Sequence, residues 1–373
     1  MKYQMPLLIV IAALTLAYAC GRKSRLDKKL CVQAVTVILT LFSGLRSWWM
    51  GDLIKYYTHY RQCNGANWKE QVFGDWSNIG LRLFFRLAGA LHISYDVCIF
   101  LIAALAAISL GALVFRYSPS PYWSYLVYIG MGFYLFTYTG LKQTIAMSLL
   151  IVAAFGYFEG KPVRMILWTL AAALFHLPAI IFLLLLLLPL NRIDMRYVMT
   201  LTVMFVLCFL FKGGLVTFMS RLYYDDEDTF ENILKVGGRF WMMCFIMVIG
   251  LTLRPLRIGD SVYFRVFNMM ALAAMCQIFS VYSNNFSRLA DYFYQFSVLF
   301  VPMILEPGES QARAQPERAG TIRYWDRRVY IAAYIAVTAF TFWYYLSYIR
   351  ASTDILNSFR FFWQIDPYSL YGS

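Results

Sequence analysis

Along this chain, apolar residues come in blocks of about helix length, cut apart by short joints rich in Lys, Arg, Gly and Pro. Leu7 to Ala19 is apolar apart from Thr15, and Phe182 to Leu190 is broken only by Pro189. Crossing the hydrocarbon of a bilayer takes roughly 20 apolar residues in a helix. Blocks at 3–20, 30–49, 94–115, 122–138, 141–158, 197–212, 239–253, 261–282, 289–305 and 329–348 are read as such helices. None alternates with the period of two that a transmembrane β-strand needs, and a lone strand in lipid leaves its backbone unpaired. The predicted fold is all-α, a polytopic transmembrane helical bundle of about 11–12 helices.

The run 165–190 exceeds one ordinary span, and Phe175-His176-Leu177-Pro178 interrupts it. As one long helix it would leave Asp225-Asp-Glu-Asp228 in the cytoplasm. As a hairpin of two short helices it sends Arg254, Arg257 and the Arg-rich stretch 313–328 there, beside the basic cluster Arg22, Lys23, Arg25, Lys28 and Lys29. Cytoplasmic joints carry the excess of Lys and Arg, so the hairpin is preferred. The whole chain, 1–373, then reads as a single transmembrane domain. An outer loop covers 50–92, an outer acidic loop 213–238, and a cytoplasmic loop 306–328. Within 50–92, Leu81, Phe84, Phe85, Ala88 and Leu91 recur at helical spacing with Arg82 and Arg86 between them, which predicts a helix lying in the membrane interface. The basic cluster follows the first apolar block rather than preceding it, so that block is expected to be retained and not cleaved. No internal repeat is evident.

Composition sharpens this reading. The chain is 61% hydrophobic and 14% charged, against roughly 25% charged in an average soluble domain. Its net charge of +13 sits mostly in short joints, where it sets orientation, and no nucleic-acid partner is expected. The 7 cysteines form no CxxC pair and imply no disulfide framework. Three scattered histidines make a metal centre unexpected, and no Walker loop, HExxH or nucleophile elbow is present.

Ionisable groups inside or at the mouth of spans are costly and usually functional. On the expected outer side these are Arg46, Asp52, Lys142 with Gln143, His176, Arg288 and Asp291, joined by Arg82 and Arg86 if the loop folds back. Each has a plain alternative: a snorkelling arginine, an interfacial lysine, a structural histidine, an Arg288–Asp291 pair one helical turn apart. Together they gather several cations and one or two acids beside a lipid phase. A lipid-linked diphosphate would need that arrangement, since Arg offers multidentate contact and Lys a compact charge.

The ordered motifs resemble those of the EpsG-like, Wzy-type polysaccharide polymerases. Gly44-Leu-Arg46 followed by Gly51-Asp52 and Tyr56-Tyr57 resembles their RYxxGxDYxxY signature, and Gly140-Leu-Lys142-Gln143-Thr-Ile-Ala146 their (I/L)RQxxA segment. Ala173-Leu-Phe-His176-Leu-Pro-Ala179 is similar to their A-x-FHxSA box. Asn285, Arg288 and Tyr292 are similar to the late Arg-Tyr motif, and Asp366-Pro-Tyr368 to the common ending. Ser47 and Leu53 replace usual tyrosines, Lys142 replaces an arginine, and Asn78-Ile-Gly80 replaces an acidic element, leaving Asp75 as the nearby carboxylate.

The resemblance implies a GT-C-like membrane glycosyltransferase joining undecaprenyl-diphosphate-linked oligosaccharide repeat units by inverting transfer, with no cofactor. It implies Asp52 and His176 as catalytic residues and Arg46, Lys142, Gln143 and Arg288 as diphosphate ligands. Arg82, Arg86, Tyr56, Asp291 and Tyr292 are further substrate-binding candidates. Its expected setting is the extracytoplasmic face of a bacterial inner membrane, among membrane lipids, with a flippase and a chain-length regulator of the same pathway as partners. An O-antigen ligase shares the donor and stays open, as does a lipid-linked oligosaccharide flippase. An O-acyltransferase would use His176 and leave Arg46, Asp52 and Arg288 without a role.

Overall fold

The computed structural model describes residues 4–20, 24–49, 52–74, 78–188, 195–211, 213–214, 217, 238–252, 260–281, 284–305, 331–332, 335–336, 338–348, 350 and 357–364. Among them the regular structure is helical, and the one β-type pairing is an isolated bridge between Arg46 and Phe361. The helices are α1 Gln4–Cys20, α2 Arg25–Gly44, α3 Leu53–Cys63, α4 Trp68–Phe73, α5 Ile79–Ala90 and α6 Tyr95–Tyr117. They continue with α7 Pro121–Gly130, α8 Phe133–Phe136, α9 Leu141–Phe158 and α10 Pro162–Phe175, then a 3₁₀ run Leu177–Leu187. After these come α11 Met195–Leu210, α12 Gly238–Thr252, α13 Ser261–Gln277, α14 Asn284–Tyr294 and α15 Ser297–Leu305. Tyr95–Tyr117, Leu141–Phe158 and Ser261–Ser280 are each long and apolar enough to cross a membrane, and shorter apolar helices accompany them. The chain is an all-α polytopic membrane protein.

Several predicted boundaries move, each for a local reason. The second helix begins at Arg25 rather than 30, because Ser24 and Asp27 form a capping box that satisfies the first turn. Arg25, Lys28 and Lys29 are therefore helical, not loop. The predicted helix 122–138 divides into α7 and α8 at Gly132, whose φ of 79° lies in the left-handed region that glycine alone adopts freely. The predicted span 289–305 divides at Gln295-Phe296 into α14 and α15. The run 165–190 breaks at His176, with an α-helix before it and a 3₁₀ segment after it. The acidic run 225–228, the loop 306–328, Asp75 and Asp366-Pro-Tyr368 lie outside the described residues.

The chain divides into two compact units. The first comprises Met1–Ala153, Leu167–Leu177 and Phe340–Ser373. Its most extensive packing is α2 along α6, with α1 laid against α7 and α3, α4 and α5 packed on one another. Residues 359–362 close over the end of α2: Ser47 N–H donates to Arg360 O (2.7 Å), Phe362 N–H to Leu45 O (3.1 Å), and Phe359 stacks on Phe42 at 5.2 Å.

The second unit, Ala154–Ile166 with Pro178–Ala339, centres on α13, whose residues from Tyr263 to Gln277 are all buried. Several of its polar groups are paired there. Arg265 donates to Tyr157 O, Asn268 Nδ2 to Tyr157 Oη (3.1 Å), and Tyr197 Oη–H to Asn268 Oδ1. Phe182 of the 3₁₀ run stacks on Phe293 of α14 at 5.5 Å.

Candidate functional site

The first unit brings three separately read segments to one cleft. Tyr56 and His59 come from α3, Asn78, Leu81, Arg82 and Phe85 from the start of α5, and Lys142 from the first turn of α9. The cleft is open to solvent and encloses about 30 Å³.

Aromatic packing fixes α3. Trp48 stacks on Tyr57 at 4.2 Å, Tyr57 meets Tyr95 at 5.4 Å, and Tyr60 and Tyr95 both pack on the fully buried Phe85. Hydrogen bonds pin the same face: Tyr95 Oη–H donates to Leu53 O (2.9 Å) and Tyr60 Oη–H to Ile93 O (2.7 Å). Burial pushes the Tyr60 phenol and the Cys63 thiol above their ordinary pKa values. Asp52 precedes this helix in register, since Tyr56 N–H donates to its carbonyl at 3.2 Å. Residues 52, 56 and 59 therefore follow one another along a single face of α3. The Asp52 carboxylate is half exposed and pairs with the exposed Lys55 at 3.3 Å.

α5 is placed by close backbone approach. A Cβ on Gly80 would stand 2.8 Å from Leu174 O and 3.1 Å from the Phe175 ring, so α5 rests directly on the end of α10. Arg82 Nη1 donates to Gln71 O (2.9 Å). One turn on, Arg86 lies 4.3 Å from the Trp68 ring and 3.4 Å from Asn64 Oδ1, turned toward α4 and the loop before it rather than among the cleft residues.

The other predicted residues fall elsewhere. Arg46 is buried, donating through Nη1 to Ser43 O and through Nη2 to Thr137 O (3.0 Å), 5.4 Å from the Tyr138 ring. Gln143 is buried beside Lys142 in α9. His176 is half-buried at the break after α10, its N–H on Ala172 O (3.0 Å). In the second unit, α14 exposes Arg288 and buries Asp291 and Tyr292. Among the described residues no group of His, Cys, Asp and Glu is arranged to hold a metal ion.

His59 was missed in the sequence, although its place one helical turn after Tyr56 was the available signal. Partial burial, then Arg82 and Lys142, lower its pKa below the ordinary value, and a hydrogen bond with Gln62 opposes them. The cleft is thus small and open, with a mostly apolar lining bounded by residues that include one imidazole, two cations and a phenol. Such a set suits an anion carried on an apolar or sugar-bearing group.

These features define a polytopic membrane protein with a basic cleft in its first unit. The EpsG family model matches residues 29–357, and the chain belongs to that family of Wzy-type polysaccharide-polymerase-like membrane proteins. No curated protein and no solved structure gives a significant match.

Proposed function

We propose that this protein is a polysaccharide polymerase that joins undecaprenyl-diphosphate-linked oligosaccharide repeat units at the outer face of a bacterial inner membrane. The observation carrying this reading is the gathering of Tyr56, Arg82 and Lys142 in one cleft, beside an Asp52 on the same face of α3, in a chain of the EpsG family.

In the transfer, an acceptor hydroxyl attacks the anomeric carbon of the donor sugar, and the bond from that carbon to the diphosphate oxygen breaks. Asp52 takes the hydroxyl proton as general base. Its exposure, and its pairing with the exposed Lys55, leave it able to meet a sugar. Charge building on the departing diphosphate is met by Lys142 and Arg82. The donor's own diphosphate bond supplies the driving force. Buried Gln143 is assigned no step, and His176 closes the helix end on which α5 rests. Arg288, Asp291 and Tyr292, in the second unit, are assigned no step.

The test is purified protein given lipid-diphosphate-linked repeat units, with products separated on a gel. A ladder of regular spacing from wild type, absent with folded Asp52→Asn, supports the reading. A single increment onto a different acceptor would make the protein a ligase. Movement of lipid-linked sugar across liposomes with no new glycosidic bond would make it a flippase.

A further inference from the structure

The cleft contains an imidazole that the polymerase motifs leave out. His59 is exposed enough to reach solvent and stands with Tyr56 on the face of α3 that lines the cleft. Across from it, α5 brings Arg82 and Asn78, and α9 brings Lys142. Gln62 hydrogen-bonds it from its own helix, and α4, also packed on α3, carries Lys69 and Glu70. The charges that act on the imidazole are thus two cations from two other helices.

We propose that His59 completes a diphosphate-binding site with Arg82 and Lys142, and that it takes up a proton when a diphosphate enters. This deepens the polymerase reading and rests on it.

The sign follows from the field in the cleft. With the cleft empty, desolvation and the two cations favour the neutral imidazole. A diphosphate between the same groups reverses that field and favours imidazolium, which then donates from both ring nitrogens. Binding therefore consumes a proton between the lowered pKa of the empty site and the raised pKa of the filled one, and tightens as pH falls through that window. One histidine can steepen the affinity by at most about tenfold per pH unit.

The measurement is titration calorimetry on purified protein in phosphatidylcholine nanodiscs, with inorganic pyrophosphate and with farnesyl diphosphate. Runs at pH 6, 7 and 8 in two buffers of different ionisation heat count the protons taken up. Because the ligands titrate too, wild type is compared with His59→Gln under identical conditions. Wild type should take up more protons and gain affinity more steeply toward pH 6. His59→Gln should lose most of the gain in affinity that wild type shows between pH 8 and pH 6. Lys142→Ala should weaken binding at every pH. Equal proton uptake and equal slopes in wild type and His59→Gln would overturn the proposal, as would no binding of either ligand by folded wild type.

Farnesyl diphosphate binding more tightly than pyrophosphate supports a lipid-linked ligand. Equal affinity upholds the diphosphate chemistry and overturns the lipid-linked source. Phosphatidylglycerol nanodiscs that block both ligands would make the cleft a headgroup anchor instead and sink the assignment. A product ladder from His59→Gln with the wild-type pH profile would remove His59 and leave the polymerase standing. Proton-coupled binding without any ladder from wild type would do the reverse.

Discussion

Arg46 and Asp52 belong to the same motif and meet opposite environments. The arginine is buried and bound to two backbone carbonyls, one from the end of α2 and one from Thr137 after α8. The aspartate is half exposed beside Lys55. Replacing Arg46 by Ala leaves two buried carbonyls without donors and empties a packed site, which should cost about 2–4 kcal/mol. Lys at this position cannot reach both carbonyls from a planar fork and should recover little of that. Both variants should melt earlier in detergent. Asp52→Asn loses only an exposed ion pair, worth about 0–1 kcal/mol, so its melting should match wild type. Its polymer output should instead fall by about 100-fold or more, the usual share of a general base. An Asp52→Asn variant that melts early with its activity merely halved would assign the residue to structure. The motif marks both positions in the sequence but not this division, because burial depends on Thr137 and on residues 359–362, far away in the chain.

At the scale of elements, legibility tracked how much of each signal was local. Of the three helices in the 50–92 loop only α5 was visible from apolar spacing, and it buries Leu81, Phe85 and Ala88 while Leu91, just past its end, stays exposed. The α7–α8 break was not visible, because apolar residues continue through it. What stops the helix is the left-handed Gly132 and the Tyr348 ring, which lies 2.8 Å from where a Cβ would be. Gly80 likewise looks unremarkable in the sequence and governs where Arg82 stands. A Cβ there meets the Leu174 carbonyl, which is backbone and cannot swing aside. Gly80→Ala should lower stability by about 1–3 kcal/mol and shift α5, weakening pyrophosphate binding as well. Leu83→Ala, on an exposed position of the same helix, should change stability by less than about 0.5 kcal/mol and leave binding intact. Loss of binding in both variants would mean that the cleft senses any change in α5 rather than its seating on α10.

For the molecule as a whole, the decisive property is which side of the membrane the cleft faces. Polymerisation of units on the outer leaflet needs Asp52 and Lys142 outside. The positive-inside reading predicts that, with Glu159-Gly-Lys-Pro-Val-Arg164 in the cytoplasm. The helical, membrane-spanning character of the chain was legible because bilayer thickness forces apolar length. The predicted count of about 11–12 was not met among the described residues, since blocks such as 122–138 and 289–305 divide into shorter helices. Sidedness is carried by a weaker statistical bias in the joints, and the convergence of residues 56, 59, 82 and 142 depends on tertiary packing that no single segment encodes. Cysteine labelling separates the two orientations. Lys55 is exposed beside Asp52, and Lys161 is exposed in the opposite joint. Background from the native Cys63 should be low, because it is buried and its thiol pKa is raised, which keeps little of it as reactive thiolate. In intact cells a membrane-impermeant maleimide should label Lys55→Cys and spare Lys161→Cys until the membrane is permeabilised. The reverse pattern would put the cleft in the cytoplasm. Polymerisation on the outer leaflet would then be impossible for this site, while a diphosphate-binding role facing cytoplasmic donors would survive.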